Sequence, residues 1–250
     1  MESQNTTPQS SQEHSLLQSI GLHLMPGIVG GIGYYALAGP VRNLGYPSIM
    51  ALILAGIFVI TPLQWGYLVY QSRKKGQKLF GEVIQYLEPL TWKEYLIWTP
   101  VVIVGSGALM ALMGPVTNAI QSLFSWMPEY MVLDLGLSNA YSYQTLLFTF
   151  SLMLLFGVLI GPLTEELYFR GFLLPRMPTK MKNWGPAFHS LFFGLYHIWT
   201  PWFFAARALA LLPLSYTVKH KKNLYLGIIS HCLLNSIDFV TGVVFIISLN

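Results

Sequence analysis

Apolar residues fall along the chain in long runs separated by short polar and basic stretches. The first runs from about Leu22 to Ala38 and the second from about Pro47 to Tyr70, each near the ~20 residues a helix needs to cross hydrocarbon. Asn43, Gly45 and Pro47 mark the turn between them. A third run covers about Tyr95 to Val116. A fourth begins near Thr145 and continues to about Leu174, roughly 30 residues or about 45 Å at 1.5 Å per residue, which is too long for a simple span. Gly161-Pro162 predicts a kink inside it. Runs at about Pro186 to Trp199, Pro201 to Val218 and Leu224 to Leu249 complete the set, so the pattern predicts an all-α, polytopic transmembrane helical bundle of about seven spans. Between the second and third runs, the basic stretch around Leu79, Val83, Ile84 and Leu87 predicts a short amphipathic helix at the interface. Residues 1–15 read as a disordered polar tail without the basic n-region of a signal peptide, and 16–142 as N-terminal transmembrane helices and loops.

Composition agrees with the pattern. Of 250 residues 54% are hydrophobic and only 10% charged, against roughly 25% charged in a soluble domain. An ordinary soluble globule is excluded. The net charge of +4 does not mark a nucleic-acid binder, because the basic residues sit in blocks between apolar runs rather than on one face. Eleven of the 14 Lys and Arg lie at 73–93, 176–182 and 219–222, whereas the aromatic segment from Asn118 to Tyr143 carries Glu129 and Asp134 but no Lys or Arg. The positive-inside rule then predicts an integral multi-pass protein with a cytoplasmic N-terminus and an outside C-terminus, in the plasma membrane if the host is bacterial. Cys232 stands alone, which excludes an intrachain disulfide and a Cys-based zinc cluster. Gly27 and Gly31 form one GxxxG pattern suited to close helix packing.

Ionisable groups inside apolar runs are costly and mark candidate chemistry. Glu165, Glu166 and Arg170 interrupt the fourth run; Glu166 and Arg170 stand i, i+4 and can pair, while Glu165 is turned ~100° away. Phe193 and His197 form a second cluster, with His189 one or two turns earlier, and His231 and Asn235 share a face of the last helix. Taken singly, each can be read as packing: a buried ion pair, a hydrogen-bonded histidine, interhelical glue. Counted from the basic blocks at Lys222, Lys182 and Arg176, His231, His197 and Glu165 lie nine, fifteen and eleven residues inward, or roughly 13 to 23 Å. A common depth favours a shared site. No nucleophile presents itself, because Cys232 points ~100° away from His231 and no Ser occupies a nucleophile elbow. A carboxylate in apolar surroundings suits the role of general base on water, so Glu165 with His197 fits that task. His231 and Asn235 offer two donors for an oxyanion. Glu165, Glu166, His197 and His231 also make a possible zinc set, although the HExxH spacing is absent.

At these residues the sequence resembles the CPBP family of intramembrane glutamic endopeptidases, which includes CAAX prenyl proteases and bacteriocin self-immunity proteins. The Glu-Glu-x-x-x-Arg motif is matched by Glu165, Glu166 and Arg170, Phe-x-x-x-His by Phe193 and His197, and His-x-x-x-Asn by His231 and Asn235, across roughly residues 145–240. The resemblance implies that residues 143–250 form a catalytic helical core with an intramembrane cavity open toward the cytoplasm. It implies that Glu165 and His197 activate water, that His231 and Asn235 stabilise the oxyanion, and that Glu166 and Arg170 hold the motif helix and a substrate carboxylate. The implied activity is endopeptidase cleavage, without cofactor or metal, of membrane-associated peptide or protein substrates, prenylated CAAX proteins among the candidates, with membrane lipid as the other partner and no nucleic acid. The alternative is a non-catalytic binding or immunity protein that uses the same cavity. A transporter is a third class, disfavoured because no inverted repeat is visible.

Overall fold

The computed structural model describes residues 13–249. In chain order its helices are α1 (Leu16–Asn43), α2 (Ile49–Lys75), α3 (Trp92–Leu112), α4 (Gly114–Ser122), α5 (Tyr143–Arg176), α6 (Gly185–Tyr196), α7 (Phe204–Ala210), α8 (Leu212–Lys221) and α9 (Leu224–Ser248). Among the described residues extended pairing is limited to two isolated bridges, Phe80 with Ile84 and Leu87 with Asn223. Helices α1, α2, α3, α5 and α9 are long and apolar enough to cross a membrane. The other two predicted runs are short helices. The run from Pro186 stops at Tyr196 as α6, where His197 leaves the helical region at φ −82° and ψ 58°, and Thr200 before Pro201 is also non-helical, φ −138° and ψ 66°. The run from Pro201 is divided into α7 and α8 at Leu211, two residues before Pro213. Both pieces lie inside the bundle, with α6 packed on α1, α7 and α8.

Polar residues set where the helices begin. Ser15 accepts from Gln18 N, Thr91 and Glu94 form a capping box, Ser142 accepts from Thr145 N, and Asn223 accepts from Leu226 N at 2.7 Å. Helix α2 ends at Gly76, whose φ of 61° lies in the left-handed region. The GxxxG pair of α1 packs closely as expected, with Gly27 against the Tyr196 backbone and Gly31 against Ile198.

The 34-residue helix α5 accommodates its length without a single sharp break. Two wide-turn π segments, Met153–Ile160 and Glu166–Leu173, flank the short α-helical piece Gly161–Glu165. Pro162 brings no N–H to the ladder, and at Gly161 a Cβ would lie 2.6 Å from the Phe156 carbonyl oxygen, so this turn tolerates no larger residue. π segments are frequent at functional sites. Here the second one carries Glu166 and Arg170.

Two expectations are corrected. The basic stretch 77–90 is an irregular loop, not an amphipathic helix. Gly81 at φ 94° and Tyr86 at φ 61° interrupt any helix, and Pro89 follows. Its apolar Val83 and Ile84 are buried in the protein, where the loop is held by Gln85 N donating to Gly171 O, Glu88 N to Lys222 O and Arg176 Nη1 to Val83 O. The predicted disordered tail lies mostly outside the described residues, but its last three residues are docked. Glu13 accepts from Thr179 N and Oγ1 at 2.7 and 2.8 Å, and His14 N donates to Arg176 O at 2.9 Å. Through these contacts the loop 77–90, the turn after α5 and the α8–α9 junction gather at one end of the molecule. All three basic blocks are therefore on the same side.

Candidate active site

Helices α5, α6 and α9 bring the carboxylates and histidines together because each contributes one polar patch to an otherwise apolar interface. The Glu166 and Arg170 side chains are both 0% exposed and paired, Arg170 Nη1 donating to Glu166 Oε1. The same carboxylate oxygen accepts from His231 Nδ1 at 2.8 Å. A carboxylate on one ring nitrogen orients the imidazole and turns its Nε2 outward, and that nitrogen lies 3.7 Å from Glu165 Oε2. The other oxygen of Glu165 accepts from Tyr196 OH at 3.1 Å, and Gln64 Nε2 donates to that hydroxyl at 3.4 Å. Glu165 keeps 14% of its side chain exposed and His231 8%, so the accessible atoms of the cluster are those between these two residues.

Close backbone approach makes the arrangement possible. Gly227, one turn before His231, has no side chain, and a Cβ there would lie 2.6 Å from Glu166 Oε2. Gly194 lets α6 meet α7, since a Cβ would lie 2.7 Å from Phe204 O. Phe193 is the hub beneath the polar atoms. Arg170 stacks over its ring at 5.0 Å, and the rings of His197 and His231 lie 4.9 and 6.1 Å from it.

Two of the six sequence-predicted residues stand apart from the carboxylates. His197 lies just past the end of α6, and its Nδ1 engages the Phe193 carbonyl at 2.8 Å. This bond requires the proton on Nδ1 and leaves Nε2 as the free lone pair. The ring packs on Tyr196 and Trp199 rather than touching Glu165. Asn235 donates one amide N–H to Gly157 O at 3.0 Å, tying α9 to the first π segment of α5. Arg170 is enclosed, which leaves it no access to a substrate carboxylate. The zinc set is not assembled: among the described residues no three His, Cys, Asp or Glu side chains converge to hold a metal ion.

Tyr196 and Gln64 are the neighbours that sequence reading missed. Tyr196 carried no signal apart from its place before His197. Gln64 was visible as an uncharged amide in the apolar run 47–70, and it is fully buried. Asp238 continues the stripe of His231 and Asn235 at i+7. Two open clefts of about 590 and 410 Å³ lie at the far end of the bundle beside Arg42 and Glu129, and neither is lined by the carboxylate cluster.

Comparison with known proteins yields no match among curated proteins or solved structures. A match does exist at the level of a family. Residues 147–237, which contain all six motif residues, fit the model of the Rce1-like type II CAAX prenyl endopeptidases, a protease family. With its apolar helices this makes the chain an integral membrane protein. The segment that assembles the carboxylate and histidine cluster is thus the part of the chain that is similar to the Rce1-like type II CAAX prenyl endopeptidases.

Proposed function

We propose that the protein is a metal-independent, glutamic-type intramembrane endopeptidase that hydrolyses peptide bonds of membrane-associated proteins, with prenylated CAAX proteins as the substrate class. The observation that carries this reading is the placement of Glu165, braced by Tyr196 on one oxygen and facing His231 Nε2 across 3.7 Å with the other. Glu165 takes a proton from water while His197 Nε2 helps orient that water, and the hydroxide adds to the scissile carbonyl. Glu166, itself paired with Arg170, holds His231 through Nδ1, so that Nε2–H is turned toward the site and donates to the oxyanion. Asn235 has a second amide N–H for the same purpose. Collapse of the tetrahedral intermediate passes the proton from Glu165 to the leaving amine. The basic end of the bundle, where the three Lys and Arg blocks meet, is the cytoplasmic side, which places the N-terminus there.

Cleavage of a fluorogenic peptide panel, prenylated and unprenylated, by detergent-purified protein tests the reading. Activity lost in Glu165→Ala and indifferent to a zinc chelator is the expected result. Chelator sensitivity would transfer the chemistry to a metal. Cellular function that survives both Glu165→Ala and His231→Ala would instead identify a binding or immunity protein.

A further inference from the structure

Arg207 is a cation in an apolar run that forms no ion pair with a carboxylate among the described residues. It lies on α7 inside the apolar run 201–218, where an unpaired guanidinium is expensive and is retained for a reason. Its Nη1 donates to Thr200 Oγ1 at 2.7 Å and to Thr200 O at 3.5 Å, and its plane lies 5.2 Å from the Phe203 ring. The side chain is half-buried, and among the described residues Nη2 and Nε make no hydrogen bond or ion pair. The arginines at 42, 170 and 176 differ: the first two pair with Glu129 and Glu166, and Arg176 is spent on the carbonyls of Val83, Phe172 and Glu82.

Position adds a direction to this free charge. Thr200 N donates to His197 O at 3.1 Å, so Arg207 is fastened to the loop that carries His197. Glu165 and Asp238 are the carboxylates near enough to act on its charge, yet neither touches it. An extended tripeptide spans about 10 Å. A group that holds the end of such a peptide while Glu165 activates water on its first bond must lie beyond contact with Glu165 but within its field, as Arg207 does. The Nη2 and Nε edge presents the planar donor pair that matches a carboxylate.

We propose that Arg207 binds the C-terminal carboxylate of the peptide substrate and so restricts cleavage to a bond a few residues from a free C-terminus. This rests on the endopeptidase reading. The test uses the full chain in nanodiscs and a farnesyl-cysteine peptide with three residues after the cysteine, made as the free acid and as the carboxamide. Wild type is expected to favour the acid by about 10- to 100-fold in kcat/KM, mostly through KM, the size of a hydrogen bond to a charged group. Arg207→Gln should bring the acid down to the level of the carboxamide, and Arg207→Lys should restore part of the preference. Equal cleavage of the two peptides by wild type overturns the carboxylate anchor and leaves the protease intact. An equal loss for both peptides in Arg207→Gln also overturns it, by assigning Arg207 to packing. If wild type cleaves neither, anisotropy on Glu165→Gln protein decides: selective binding of the acid supports the anchor, equal binding overturns it, and no binding of either overturns the anchor and the endopeptidase reading together.

Discussion

Two histidine sites lie inside this bundle, and they differ in what faces the ring nitrogens. In the pair between α1 and α6, His23 Nδ1 donates to Ser19 O at 2.7 Å, so its Nε2 is left as the acceptor for His189 Nδ1–H at 2.9 Å. Both residues are 0% exposed; His23 is edged by Phe169 and Phe192 and His189 by Phe169, and among the described residues no carboxylate pairs with either. At the second site His231 is held between Glu166 and Glu165, and His197 keeps an accessible nitrogen beside it. On the proposed mechanism the same residue type serves packing in one place and chemistry in the other. What separates them is the pair of carboxylates that flank His231, Glu166 at Nδ1 and Glu165 across from Nε2.

The largest effect should come from breaking the charged side of this contrast. Glu166 and Arg170 are enclosed together, so removing one partner strands a buried charge at a cost of about 3–5 kcal/mol. Glu166→Gln and Arg170→Met are each expected to lower stability by that amount in a denaturant titration of the detergent-solubilised protein. The double variant Glu166→Met with Arg170→Met should recover much of the stability but none of the cleavage, because His231 loses its orienting carboxylate. A double variant as unstable as the singles would show that the pair itself, rather than a stranded charge, holds α5.

Substitution of one histidine at each site sharpens the comparison next. His231→Gln should lower kcat by about 10²–10³-fold, the range for loss of an oxyanion donor. His189→Gln should instead cost about 1–3 kcal/mol of stability through its severed bond to His23, with cleavage per folded molecule within a few-fold of wild type. Comparable losses of kcat in the two variants would erase the distinction between the sites.

How far the sequence carries this picture depends on the kind of signal each residue leaves. Glu165, Glu166, Arg170 and His231 were legible because charge in an apolar run is rare, and helical spacing alone paired Glu166 with Arg170. The partnership of Glu165 was not. Sequence depth placed it level with His197 and His231, but depth carries no azimuth, and the contact is made by His231 and by Tyr196, a residue that looks like ordinary aromatic core. The long helices were legible from hydropathy. The π segments of α5 were not, since Gly161-Pro162 announces a disturbance without saying whether the helix bends or widens. The loop 77–90 misled for a physical reason as well: Val83 and Ile84 have helical spacing from Leu79 and Leu87, but their apolar side chains are buried by the protein rather than by lipid.

The smallest expected effect concerns a third buried histidine, on the neutral side of the comparison. His14 packs on Phe172 at 5.5 Å, just before α1 begins, and burial together with the charges of Arg176 and Lys75 lowers its pKa from 6.5 to about 4. The docked state therefore favours the neutral ring. Its contribution to holding the first turn of α1 is complete above pH ~6.5 and is lost as pH falls toward about 4, because the free segment takes up a proton that the docked one resists. Hydrogen exchange around Ser15–Ser19 is expected to accelerate across that window, and His14→Phe should flatten the response while keeping the ring contact with Phe172. An unchanged pH response in His14→Phe would assign it to another group.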